Sequence, residues 1–484
     1  MPLSVILLLF PFLASFILLT FRARFAKLIA MVAAVVELSL TAITLLKFTP
    51  GPYAQFLYDI VWIKDMGVSF SLGIDGISIL FVILTNFILF IVVLLTLNYN
   101  YSKYFYVLLF VTQAALLGVF MSFDALLFYF FWEVALIPIY FLISYWGDGS
   151  NKLKITFRFF CYTMLGSLLM LFGIIYIKTV AGGFDILSFY KANLNITSQK
   201  WLFWAFFIAF AIKIPIFPFH SWQRDTYVSA PFAGSIILCA LMLKMGIYGS
   251  IRWMMPIFND AIESFKILIV ILCLVNIIYG AISAIRRKNI KALIAYSSLS
   301  HVGLIFLGVL ILSFTSIEGA LFQSFNHGLV ATALFAVAQI IYRRIKTHNI
   351  NDIGGGLAVY SRFFTFCFFT MILSSIAFPL TGGFIGEFIL LKAIYDYSAV
   401  VAFVSVLSVI FGAVYSLRLF KKTMLGESLK NIDFEPLHIN ESLALMLLVI
   451  TTIMIGLYPG MLTDLIDPSV KNLLYLIQFI KSSS

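Results

Sequence analysis

The chain has 484 residues, 62% of them hydrophobic and only 11% charged, whereas a soluble domain lies nearer half apolar and a quarter charged. No soluble core could hide that much apolar surface, so an ordinary water-soluble fold is excluded and lipid is the expected solvent. The net charge of +11 would suggest nucleic acid if the basic residues were clustered for it, and they are not.

The first stretch, PLSVILLLFPFLASFILLTF, has no basic segment before it and reads as a membrane helix, not as a cleaved signal. A helix rising ~1.5 Å per residue needs about twenty apolar residues to cross the ~30 Å hydrocarbon layer. Fourteen segments qualify: spans 1 to 3 at 3–21, 28–48 and 76–97; spans 4 to 8 at 104–122, 124–146, 156–180, 201–219 and 232–252; spans 9 to 13 at 264–285, 291–312, 316–342, 363–395 and 399–420; and span 14 at 441–459. The expectation is an all-α polytopic membrane protein of about 14 transmembrane helices.

Lys and Arg orient the bundle. Loops after odd-numbered spans hold 20 of them, including Arg22, Lys154, Arg287, Lys291, Arg343, Arg344 and Lys430. The opposite side holds 8, among them Arg252 and Lys481. The positive-inside rule then puts the basic loops in the cytoplasm or matrix and both termini outside. Topology explains the charge, and no nucleic-acid partner is expected.

Four lysines fall within spans. Lys47 and Lys392 lie near helix ends and can snorkel; Lys213 and Lys244 lie too deep. With Glu133, Glu387, His301 and His327 they form a deep ionisable set on six apolar segments. A charge at membrane depth costs roughly 2.5–3.5 kcal/mol on translocon scales, so such groups face the bundle interior and find partners. Ionic clamps between helices would account for one or two. Six on six helices fit a proton route better.

Two spans carry a break beside a charge. Pro215 and Pro218 follow Lys213, and Pro379, Gly382 and Gly383 precede Glu387. Proline removes a backbone donor and obstructs the preceding turn, which membrane proteins tolerate where the freed backbone packs on protein or lines a hydrated cavity. The breaks occupy the fourth places of two five-helix units, spans 4–8 and 9–13. An offset of five helices inverts a unit in the membrane, so the expectation is a pair of inverted repeats with broken helices in spans 7 and 12. The chain divides accordingly into 1–103 (spans 1–3), 104–252 (first repeat), 264–420 (second repeat) and 441–484 (span 14 and a short tail).

Cys161, Cys239, Cys273 and Cys367 are scattered through apolar segments, with no spacing for zinc, an iron–sulfur cluster or a disulfide framework. No GxGxxG follows a strand and there is no P-loop, so no metal or cofactor is expected in this chain.

At FWEVALIPIYFLI, KIPIFPFHSW, AYSSLSHVG, FNHGLVATALF and INDIGGGL the chain resembles the antiporter-like membrane subunits of respiratory complex I, the proton-pumping NADH:quinone oxidoreductase, over nearly its whole length. The resemblance implies a subunit of a bacterial inner membrane, or alternatively of the mitochondrial inner membrane, with NAD, FMN, iron–sulfur clusters and quinone in partner subunits. Glutamate at 387, where most sister subunits have lysine, and an end soon after span 14 resemble the M-type branch (subunit 4 in mitochondria). Membrane-arm subunits of the L and N types are then the implied partners, with membrane lipid. The resemblance further implies that Glu133 pairs with Lys213 and keeps it charged, and that a proton passes by Lys244 and His301 or His327 to Glu387.

One stretch departs from the family pattern. HSWQRDTY, 220–227, stands where the family has His-x-Trp-Leu-Pro-Asp-Ala-His, so no role carries over to Tyr227. Glu37 has no family role and is expected to meet a neighbouring subunit or to turn toward polar groups. The rival functions are a subunit of a multisubunit Na+/H+ antiporter, a hydrogenase-linked proton pump, and a scaffold with clamped charges.

Overall fold

The computed structural model describes residues 1–426 and 434–483, with side chains to 479. Lys430 and Ser484 lie outside the described residues, and Lys481 lies beyond the described side chains.

Among the described residues twelve helices are long and apolar enough to cross a membrane, from Leu3–Thr20 to Ile439–Leu457. The two expected spans missing from that set are spans 7 and 12, the ones with breaks. Span 7 is the helix Ile196–Lys213, followed by irregular turns and a short helix Gln223–Ser229. Span 12 is two half-helices, Arg362–Ser375 and Gly382–Tyr397. Span 5 is also interrupted, at Ala135 between Ala125–Val134 and Leu136–Trp146, because Pro138 crowds the carbonyl four residues earlier.

Burial separates the core from the lipid-facing rim. The apolar windows of span 8 (Phe232–Met254), span 11 (Phe314–Ile345), span 10 (Ile290–Ile311) and span 3 (Gly76–Thr96) are 100%, 94%, 89% and 89% buried. The windows of spans 1, 2 and 13 are 44%, 33% and 33% buried. Three of the deep ionisable residues ride on the buried set: Lys244 on span 8, His301 on span 10 and His327 on span 11.

Two elements depart from the sequence reading. Between spans 2 and 3 an antiparallel hairpin pairs Gln55–Ile63 with Val68–Ile74, turning at Gly67 in the left-handed region at φ 71°. Asp124 caps span 5 and also accepts from the Ser69 amide at 3.0 Å, tying the hairpin to the bundle. The expected short tail is instead a 24-residue helix, Gly460–Ser483. Leu462, Ile466, Val470, Leu473 and Ile477 make its buried stripe, a helical spacing that lays one face on the bundle. Ser469 accepts from the Gly76 amide at 2.9 Å and fixes the helix over the start of span 3.

Several basic residues assigned to loops are inside the protein. Arg252 is 5% exposed and ion-paired with Asp75, which caps span 3. Lys291 is 1% exposed. The Arg344 side chain is fully buried, and Nη2 lies 2.7 Å from the Glu441 carboxylate. Hydropathy alone cannot tell a loop that floats in water from one folded under neighbouring loops.

Candidate functional site

Four of the six expected residues follow one another across the bundle, three on its most buried spans and Glu387 on the second half of span 12. Lys244 lies on the α-helical turn Leu243–Gly249, which two π-helical stretches bracket, Ile237–Met242 and Ser250–Met254. Such wide turns recur at functional sites because they displace backbone groups from the regular ladder. Lys244 Nζ donates to the Cys239 carbonyl at 3.1 Å and lies 2.7 Å from His327 Nδ1. The His327 and His301 ring centroids are 6.0 Å apart. His301 Nδ1 lies 3.0 Å from Glu387 Oε1, and His301 Nε2 lies 3.4 Å from the Tyr415 hydroxyl. The order is therefore Lys244, His327, His301, Glu387.

The break in span 12 delivers Glu387 to this line. Gly383 packs against the Ser374 carbonyl and Gly386 against the Gln323 side chain, positions where a Cβ would collide. Bare backbone thus lets the second half-helix reach span 11, where Gln323 Nε2 donates to Glu387 Oε1 at 3.1 Å. Tyr415 receives the Ser297 hydroxyl at 2.9 Å. Gln323 and Tyr415 were not among the expected site residues. Gln323 had a readable signal: it precedes His327 by four residues on an apolar helix, the spacing of one face.

A narrow cavity with room for about one water opens beside the histidines, lined by Ser297, Ser298, His301, His327, Ala331 and Ser375 among others. Ser297 and Ser298 precede His301 on a helix that starts in a basic loop, and Ala331 follows His327 on a helix that ends in one. The cavity therefore lies on the basic side of the histidine pair.

Lys213 and Glu133 stand apart from that line. Lys213, 3% exposed, ends its helix with Nζ 5.3 Å from the Trp132 ring centroid, within cation–π range. Among the described residues no ion pair within 4.0 Å joins it to Glu133, and Lys213 Nζ and Glu133 Oε1 meet no hydrogen-bonding group. Glu133 lies at the interruption of span 5, with Ser167 and Tyr129 beside its carboxyl. The expected pair is thus present as neighbours in an open arrangement.

The backbone freed at Pro215 is satisfied by protein. Pro215 cannot donate to Ala211, so the Ile216 amide reaches that carbonyl at 2.8 Å. The Ile212 carbonyl accepts from the Trp222 indole N–H at 3.0 Å, and the Phe217 amide donates to Asn276 Oδ1 at 3.0 Å. The break is a built feature that places Lys213 at a helix end.

Glu37 turns inward, fully buried on span 2. Asn86 donates to Glu37 Oε1 at 3.3 Å and to Thr41 at 2.7 Å, and receives Gln113 at 2.7 Å. No group of three or more His, Cys, Asp or Glu residues that could hold a metal ion occurs among the described residues.

Comparison with known proteins places this geometry. Residues 122–413 match the family model described as NADH:quinone oxidoreductase/Mrp antiporter, transmembrane. The chain is 38% identical to the NADH-quinone oxidoreductase subunit M of Rickettsia typhi, over 93% of this chain and 92% of that protein. Among solved structures it is similar to a chain of respiratory complex I from Thermus thermophilus with bound NADH, at a TM-score of 0.91 and 26% identity over 98% and 99% of the two chains. A chain of the Mrp complex from a Dietzia species shares the fold, at a TM-score of 0.87 and 20% identity over 100% and 99%.

Proposed function

The chain belongs to the NADH:quinone oxidoreductase/Mrp antiporter transmembrane family, and from that premise we propose how its buried charges serve the work of the complex. It is a proton-translocating, antiporter-like membrane subunit of complex I, and so a part of an oxidoreductase assembly. The antiporter alternative is not favoured: the fold is common to both assemblies, whereas the 38% relative is a complex I subunit. NAD, FMN, iron–sulfur clusters and quinone belong on this reading to partner subunits, and no redox step occurs in this chain. Its neighbours are the L- and N-type subunits of the membrane arm. Its home is a bacterial inner membrane, with both termini on the outer side.

The observation that carries the proposal is the order Lys244, His327, His301, Glu387, with contacts of 2.7 and 3.0 Å at its ends and ring centroids 6.0 Å apart between the two histidines. Ammonium, imidazole, imidazole and carboxyl groups each exchange a proton, and imidazole can pass one through its two nitrogens. Lys213 and Glu133 form the companion unit. With the carboxylate close, the ammonium is held charged; with the pair open, a desolvated ammonium sheds its proton to the line. Glu387 receives it before release to the outer side.

The test is the chain purified with its native partners and reconstituted in sealed vesicles, with quinone-dependent NADH oxidation and proton uptake followed together. Assembled complexes carrying Lys213→Ala or Lys244→Ala are expected to move protons at least tenfold more slowly than the native complex. Native pumping in assembled Lys213→Ala complex would remove that lysine from the route. Sodium transport by an assembly without redox subunits would return the chain to the antiporter reading.

A further inference from the structure

Resting on the reading that this chain moves protons, we propose that Lys291 is the proton-collecting group on the basic side of the histidine cavity, at the start of the helix face that leads to it, fed from water through Asp148. Three loops from the basic side converge on this lysine. The one after span 5 brings Asp148, whose carboxylate lies 3.6 Å from Lys291 Nζ with its side chain 60% exposed. The one after the break in span 7 brings the Ala230 and Val228 carbonyls, which accept from Nζ at 2.9 and 3.3 Å. The one after span 11 brings His348, whose carbonyl accepts from the Ile290 amide at 2.9 Å.

The ammonium is 1% exposed, yet its carboxylate neighbour is in water. That combination suits a group that takes protons at a surface and hands them inward. His348 has both ring nitrogens enclosed without a hydrogen-bond partner and stacks on Tyr342 with centroids 4.2 Å apart. It faces Lys291 as an imidazole, not as a second cation, because burial and the Lys291 charge hold it down to about 4.

The way inward is set by the helix. Residues 291, 294, 298 and 301 are spaced by three and four, so Lys291, Ile294, Ser298 and His301 lie on one face of span 10. The last three line the cavity already described. Ser298 also adjoins Cys239, whose carbonyl holds Lys244. About 15 Å of helix, ten residues at ~1.5 Å each, separates Lys291 from His301, a gap for hydrated transfer and not for direct contact.

A purely structural lysine would occupy the same place, pinning the loop at 228–230 to the start of span 10, so the test must separate charge from proton exchange. Arginine keeps the charge and the donors but does not release a proton. Complexes carrying Lys291→Arg and Lys291→Gln, assembled with native partners in sealed vesicles, are compared for proton translocation during NADH oxidation. Both are expected to move protons at least twofold more slowly, arginine no better than glutamine. A native rate with Lys291→Arg would overturn the proposal and leave a clamp. Lys244→Ala is measured beside them: if it too pumps at the native rate, the histidine route itself fails, whereas its loss beside a fully active Lys291→Arg sinks the entry site alone. Should neither Lys291 variant assemble, Asp148→Asn decides, a twofold slower rate supporting the proposal and a native rate ending it.

Discussion

His348 illustrates how one residue links burial to pH. Its pKa is lowered to about 4 by burial first and by the Lys291 charge second, against about 6.5 in an unfolded chain. The unfolded state therefore binds more protons than the folded one between those values, so stability falls as pH drops from about 6.5 to 4 and is unaffected above. At ~1.4 kcal/mol per pH unit the loss amounts to at most about 3.5 kcal/mol. The expected outcome is loosening of the loop at 346–350 in acid, read as faster amide exchange at pH 5 than at pH 7 after correction for intrinsic rates. His348→Gln should flatten that difference; an unchanged pH dependence in the variant would assign it to another group. At this scale the sequence was informative where the solvent is unambiguous. Glu133, Lys213, Lys244, His301, His327 and Glu387 stood out because apolar flanks make a charge expensive. Arg252, Lys291, Arg344 and Glu441 did not, since they sit at the ends of spans, where sequence does not reveal which side chains the folded loops enclose.

Breaks were the most legible elements, and their geometry explains why they persist. Proline and glycine act locally, so their positions beside Lys213 and Glu387 could be read directly. Their compensation could not, because Trp222, Asn276 and Gln323 come from other parts of the chain. Trp222→Phe keeps an aromatic ring against Phe159 but removes the donor to the Ile212 carbonyl. Leaving a buried acceptor without its partner costs about 1–3 kcal/mol. The variant complex is expected to unfold at a lower temperature than the native one and to pump less per NADH, as Lys213 loses the fixed helix end that positions it. An unchanged midpoint would mean that the break needs no such support. The hairpin at 55–74 escaped notice because its strands, of nine and seven residues, are too short to register as lipid-spanning runs. Its readable signals were the aromatic and β-branched run YDIVWI and the glycine at 67. The amphipathic C-terminal helix escaped for a different reason: its five-residue stripe is diluted by polar residues, and a search for lipid-spanning length passes over it.

At the scale of the whole molecule the six ionisable groups divide into an open Glu133–Lys213 unit and a line from Lys244 to Glu387 that is in hydrogen-bond contact at both ends. That division bears on how a pump avoids leaking. Moving one charge against ~200 mV takes about 4.6 kcal/mol at ~2.3 kcal/mol per 100 mV, and a single continuous wire would let the proton run back. On the proposed route, a gap between Lys213 and the line would let the charge of one unit control the other while limiting return. If the units act in series, slowing either limits the same flux, and the two losses do not multiply. Lys213→Arg and Lys244→Arg keep charge at each site while hindering release, and each is expected to slow proton translocation at least fivefold in assembled complex. The double variant should then be no more than about twofold slower than the slower single variant. Single variants that each slow translocation by no more than about twofold, with a far larger loss in the double variant, would mean that each unit serves its own route across the membrane, and that the break at Pro215 and the break at Pro379 belong to two separate proton paths in one subunit.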